Sequence, residues 1–202
     1  TLTGGAGNDT LEGNAGSDTA AYASAASGVT VNLGLSGAQT VGGGAGLTAT
    51  KYEGYFADNF DFFATATPQT DSRFTDPFTS INTTTPGDTF DDTYSVEWQG
   101  FFKASVSGTY RFYTSSDDSS WLWLGTDGQS VNDLIAARSS SNAVVNNSGL
   151  HATRETSGTI DLVAGKLYPI LVYFGEYYGG DRITVSFTPP GGTKGSDGTG
   201  FY

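Results

Sequence analysis

From Tyr94 to Val106 the chain alternates. Tyr94, Val96, Trp98, Phe102, Ala104 and Val106 share one parity, and Ser95, Glu97, Gln99, Lys103 and Ser105 share the other. A period of two belongs to a β-strand with one buried face. Gly108 then predicts a turn, and Thr109–Ser115 predicts a returning strand rich in aromatics. Trp121-Leu122-Trp123-Leu124 is apolar at every position, as in a central strand covered on both faces. Leu162–Lys166 reads as a turn leading into a strand over Tyr168–Phe174. Ile183, Val185 and Phe187 alternate with Thr184, Ser186 and Thr188 in the last clear strand, and Val29–Leu33 suggests an earlier one. No long stretch carries the 3.6-residue helical period. Many short strands between Gly-rich turns predict an all-β fold, an antiparallel β-sandwich.

Composition narrows the class. The chain has 202 residues, 37% hydrophobic and 13% aromatic, enough to bury a core despite a formal net charge of −12. That charge argues against nucleic acid and anionic lipid as partners. The apolar runs are too short to span a bilayer, so no membrane insertion is expected. Without Cys, disulfides and thiolate metal sites are excluded. Of the 21 acidic residues, 16 are Asp, the short carboxylate favoured in turns and in oxygen-ligand cation sites. The chain begins at Thr1, without Met or an apolar leader, and reads as a piece of something longer.

The first residues carry a nonapeptide repeat. Gly4–Glu12 and Gly13–Ala21 both fit G-G-x-G-x-D-x-U-x, with Asn14 in place of the second Gly of the second copy. This resembles the calcium-binding repeats of RTX proteins. Asp9 and Asp18 are then either calcium ligands or part of the frayed end of a longer array. The resemblance implies a secreted bacterial protein. Residues 1–45 are read as repeats and a transition segment, 46–190 as the main domain, and 191–202 as a Gly-rich tail or linker.

The sharpest chemistry lies at Asp117-Asp118, within Thr114–Ser120 between two apolar strands. Adjacent carboxylates at an apolar boundary repel each other and lose hydration. A hard divalent cation such as Ca2+, which takes six to eight oxygens, offsets both effects. Successive side chains on an extended trans backbone point opposite ways, so a shared ion requires a sharp bend or a cis peptide. The alternative is a solvated turn in which Asp caps backbone amides.

Three segments carry a further resemblance: Trp98-Gln99-Gly100-Phe101-Phe102, Gly108–Asp118 with Trp121–Gly125, and Ala164-Gly165-Lys166-Leu167-Tyr168-Pro169-Ile170. Over roughly residues 46–190 the chain resembles the protective-antigen (PA-14) domain family. The resemblance implies a β-sandwich and, as in many members, a carbohydrate-binding module. In the sugar-binding members an Asp-Asp pair joined by a cis peptide holds calcium, which implies that role for Asp117 and Asp118. A second loop, Gly175–Asp181 here, supplies the remaining ligands. Glu176 takes the side-chain position, where yeast members carry Asn, and Tyr178 and Gly180 supply carbonyls. Asp181 is either a further ligand, a sugar-contacting group or the residue that holds the loop. Tyr177 and Tyr178 are the expected stacking walls, with Gln129, Asn132 and Asn146 as secondary candidates.

These implications define an expected function. The chain is a calcium-dependent lectin domain, monomeric within a secreted, RTX-type surface adhesin serving cell adhesion or biofilm formation. Its partners are cell-surface glycans, through the vicinal hydroxyls of fucose- or glucose-type sugars. An enzyme is not expected: glycoside hydrolysis needs two carboxyls roughly 5–10 Å apart across the scissile bond. The single His, His151, sits among polar residues and reads as an exposed loop residue. The alternatives are a calcium-stiffened spacer and a protein-binding module.

Overall fold

The computed structural model describes residues 2–3, 9–10, 20–21, 40–41, 46–70, 81–85, 92–195 and 200–202. It divides into two compact units, Thr1–Ala45 with Tyr202, and Gly46–Phe201. In the first unit, β1 (Leu2–Thr3) pairs in parallel with β3 (Ala20–Ala21), and β2 (Asp9–Thr10) pairs antiparallel with β4 (Thr40–Val41). Leu2 lies opposite Ala20, an offset of 20 − 2 = 18 residues, which is two nonapeptides. The strand expected at Val29–Leu33, Asp18 and the side chain of Asp9 fall outside the described residues.

The second unit is an antiparallel sandwich. Its strands are β5 (Thr48–Glu53), β6 (Pro68–Gln69), β7 (Asn82–Thr85), β8 (Tyr94–Lys103), β9 (Gly108–Asp117), β10 (Ser120–Leu124), β11 (Val145–Asn147), β12 (Arg154–Leu162), β13 (Leu167–Glu176) and β14 (Asp181–Thr188). One sheet runs β11-β10-β13-β8-β5-β6 and the other β12-β9-β14-β7. Between them lies the main core, which includes Val96, Trp98 and Phe102 of β8, Ile170, Val172 and Phe174 of β13, and Tyr110, Phe112, Ile183 and Val185 from the facing sheet.

The six-stranded sheet is covered on its outer face as well. Leu122 and Leu124 enter the main core, while Trp121 and Trp123 join a second cluster with Leu171 and Tyr173. That cluster is roofed by Phe56, by Phe63 of α1 (Phe62–Thr65) and by Leu134 of α2 (Val131–Ala137). Two covered faces explain why β10 and β13 are apolar at both parities. The seven-residue α2 was not expected from the pattern. It starts with a reciprocal cap: Ser130 Oγ accepts from Asp133 N at 3.1 Å, and Asp133 Oδ2 accepts from Ser130 N at 3.3 Å.

Two expected boundaries shift, and one strand is new. The strand from Tyr94 ends at Lys103, and Val106 is exposed in the turn beyond. There Tyr110 Oη accepts from the amides of Ser105 and Val106 at 3.0 and 3.1 Å, which turns the chain off the sheet. Arg154–Leu162 is a full edge strand that the polar sequence concealed. The end of the expected 191–202 tail is sandwich. Phe201 is 1% exposed in the main core, Lys103 N donates to Gly200 O at 2.8 Å, and Gly46 N donates to Phe201 O at 2.9 Å. An aromatic side chain buried against Phe102 ties this segment down.

Candidate metal centre

β9 and β10 belong to different sheets, so the chain crosses the sandwich edge at Asp118-Ser119. The peptide bond between Asp117 and Asp118 is cis. β13 ends at Glu176, which pairs with Tyr94 on β8. Glu176 is therefore the last strand residue, with the loop confined to Tyr177–Gly180 and Asp181 opening β14. This brings carboxylate oxygens of Asp117, Asp118 and Glu176 within 4.8 Å of one another. Gly175 permits the approach of the neighbouring segment, because a Cβ there would lie 2.5 Å from Phe56 Cδ1 and 2.8 Å from Tyr55 Cδ2.

The three carboxylates are held differently. Asp117 is half-buried, and its Oδ2 accepts from Thr153 N at 3.0 Å. Asp118 is buried, with Oδ1 accepting from His151 N at 2.8 Å and Oδ2 from Tyr177 N at 3.1 Å. Glu176 is 1% exposed, and among the described residues neither carboxylate oxygen has a hydrogen-bond partner. A buried, unpaired carboxylate is strongly disfavoured.

The electrostatics follow from that packing. Burial first, then the charges of Asp118, Asp117, Asp181 and Asp92, push the Glu176 carboxyl up to about 8. Burial and the adjacent Asp118 likewise raise Asp117, opposed by the donors of Thr153. Two unit charges within 4.8 Å repel by roughly 3 kcal/mol or more at an effective dielectric of about 20. The arrangement suits a hard divalent cation. The donors are all oxygen, and among the described residues none donates a hydrogen bond to the Glu176 oxygens. Calcium fits this donor set.

The other candidates separate. Tyr177 and Tyr178 are exposed, with ring centroids 4.5 Å apart, and Tyr55 packs 5.5 Å from Tyr177. Gly179 N donates to Asp92 Oδ1 at 3.2 Å, and Thr93 Oγ1 donates to Tyr177 O at 3.0 Å, which fixes the loop bearing Tyr178 and Gly180. Asp181 is buried and stands outside the three-carboxylate group, with Oδ2 accepting from Tyr94 Oη at 2.5 Å. Its Oδ1 is buried without a hydrogen-bond partner among the described residues, and the bond from Tyr94 ties the start of β14 to β8.

The secondary candidates have local roles. Gln129 Oε1 accepts from Thr126 N, Asn146 Oδ1 accepts from Ser148 N, and Asn132 is exposed on α2. His151 is not the exposed loop residue expected. It is half-buried, and its amide holds Asp118. Asp58 was also missed. It binds Ser119, Trp121 and Gly149, which lie 61, 63 and 91 residues away, so no local pattern announces it.

Comparison with known proteins agrees with this architecture. Residues 43–199 match the PA14 domain family, and residues 1–20 match the RTX calcium-binding nonapeptide repeat (4 copies). Anti-sigma-I factor RsgI3 of Acetivibrio thermocellus is 38% identical over 87 residues, 43% of this chain. The chain spans only 11% of that relative's length. A solved anti-sigma factor domain-containing protein is 24% identical with a TM-score of 0.57, covering 79% of this chain and 48% of that one. The subtype-switched Epithelial Adhesin 9 to 1 A domain of Candida glabrata, solved in complex with beta-lactose, has a TM-score of 0.60 at 14% identity. That match covers 78% of this chain and 87% of the adhesin domain. The PA14 domain of the MpAFP antifreeze protein has a TM-score of 0.54 at 16% identity, covering 77% and 89%. At these identities the solved structures show a shared fold. With its family match over residues 43–199, the chain belongs to the PA14 domain family.

Proposed function

We propose that this is a calcium-dependent carbohydrate-binding domain of a secreted surface adhesin, and not an enzyme. The observation that carries the reading is the buried Glu176 carboxylate, without a hydrogen-bond donor among the described residues and facing Asp117 and Asp118. Those three side chains would hold the ion, with the carbonyls of Tyr178 and Gly180 completing the protein's share. Calcium, when bound, supplies coordination positions that two neighbouring sugar hydroxyls can fill. The chain's own residues then select the sugar. Tyr177 and Tyr178 offer exposed aromatic faces on one side. Leu150 is 60% exposed beside His151, on the loop that holds the other oxygen of Asp118. Polar groups converging between such walls fix a sugar's orientation.

Fucose- or glucose-type glycans are the proposed partners, with cell adhesion or biofilm formation as the setting. The lactose-bound adhesin domain of the same fold supports a carbohydrate partner, and the RTX-type repeats support a calcium-replete, extracellular setting. A single shallow site binds weakly, and many copies on one surface raise the avidity. The test is glycan binding in calcium and again in chelator. Loss of binding in chelator supports the reading. Calcium stabilisation without any glycan binding favours the calcium-stiffened spacer instead, and calcium-independent binding favours a different ligand class.

A further inference from the structure

The inference rests on the calcium reading above and concerns the segment between β5 and α1. Ala57 and Asp58 have left-handed backbones, with φ of 49° and 59°. That conformation is uncommon for residues with a Cβ, and Asp adopts it more readily than most. The Asp58 side chain meets three distant segments. Oδ1 accepts from Ser119 Oγ and from Trp121 Nε1, the latter at 2.7 Å, and Oδ2 accepts from Gly149 N at 3.0 Å. Each donor belongs to a piece of the metal centre. Ser119 directly follows Asp118, and Trp121 lies on the strand that leaves the Asp-Asp corner. Gly149 opens the loop whose amides at His151 and Thr153 hold Asp118 and Asp117.

Asp58 thus ties the Asp117-Asp118 corner to the loop that orients both carboxylates. Both of its own oxygens face protein donors, and it stands outside the three-carboxylate group. We infer that Asp58 is a positioning residue: by fixing the corner against the 148–153 loop, it sets the calcium affinity of a site it does not touch. Groups that orient metal ligands from outside the coordination sphere commonly change metal affinity by about 10–100-fold when removed.

The test compares the wild type with Asp58→Ala and Asp58→Asn. Calcium Kd is measured by calorimetric titration with calcium chloride, and Tm is measured in calcium and in chelator. Asp58→Ala is expected to weaken calcium binding by about 10–100-fold and to lower Tm more in calcium than in chelator. Asn keeps an oxygen for Ser119 and Trp121 and loses only the acceptor for Gly149 N, so its Kd falls between the two. A Kd unchanged in both variants, with equal Tm losses in calcium and chelator, overturns the inference. Should the Ala variant fail to fold, an unchanged Kd in Asp58→Asn overturns it alone. A wild type that shows no calcium response overturns the calcium reading itself, and this inference with it.

Discussion

The backbone amide of Tyr177 donates to Asp118 Oδ2 at 3.1 Å, so the first residue of one site loop is bonded to the carboxylate at the other. The second oxygen of Asp118 is held from the opposite side by His151 N. One buried carboxylate therefore joins the loop bearing Tyr177 and Tyr178 to the loop bearing Leu150. The two loops that hold Asp118 are also the ones that carry the exposed Tyr177, Tyr178 and Leu150.

Asp117→Asn and Asp118→Asn each remove a charge from the proposed ligand set. Calcium affinity should fall by more than the about 10–100-fold typical of losing an outer partner. Titration calorimetry measures this directly. A Kd within threefold of wild type would rule the substituted residue out as a ligand.

Glu176→Gln should move two observables in opposite directions. It abolishes the unpaired buried charge, so in chelator at pH 9 the variant should melt a few degrees above wild type. In calcium it should melt below wild type, because a ligand is gone. Melting curves under the two conditions check both signs, and a variant destabilised in both would contradict the account.

The Glu176 carboxyl also sets a pH dependence. Its folded value, about 8, lies above the ordinary 4.5, so the folded metal-free state binds the proton more tightly than the unfolded state. The resulting stability is full below about pH 4.5 and is lost as pH rises through about 8. In chelator, Tm should therefore fall from pH 6 to pH 9. Calcium needs the ionised form, so its affinity should rise over the same interval and binding near pH 7 should release protons. Titrations in buffers of different ionisation enthalpy count those protons.

Leu150→Ala changes an exposed side chain and should alter stability by less than about 0.5 kcal/mol, whereas Tyr177→Ala and Tyr178→Ala also lose ring contacts worth about 0.5–1.5 kcal/mol each. Glycan affinity should nevertheless fall several-fold with calcium Kd unchanged. Parallel glycan and calcium titrations separate the two effects.

Phe201→Ala tests the closing segment. Removing a fully buried Phe costs about 3–5 kcal/mol, which lowers Tm by roughly 6–20 °C in a domain of this size. A change of only a degree or two would return the segment to the status of a tail.

The parts of this molecule legible in the sequence are those whose signal is local. Strands β8 and β14 announce themselves by alternation, and β10 and β13 by apolar residues at both parities. Asp117-Asp118 is conspicuous because two adjacent charges interrupt apolar runs. Strand β12 is hidden because an edge strand facing water carries Thr, Ser, Glu and Asp where a central strand carries Val and Leu. Helix α2 has a readable cap at Ser130 and Asp133, but seven residues give too few turns for a periodic signal. His151 and Asp58 act through partners 33 to 91 residues away. Only the folded chain brings those groups together.

The most direct test of the central claim is a glycan array probed with labelled protein in calcium and again in chelator. The account predicts binding to a defined set of glycans bearing vicinal hydroxyls, fucose- or glucose-type, that disappears in chelator and in Asp117→Asn. Binding that persists in chelator, or its absence under both conditions from a protein that calcium still stabilises, would contradict it.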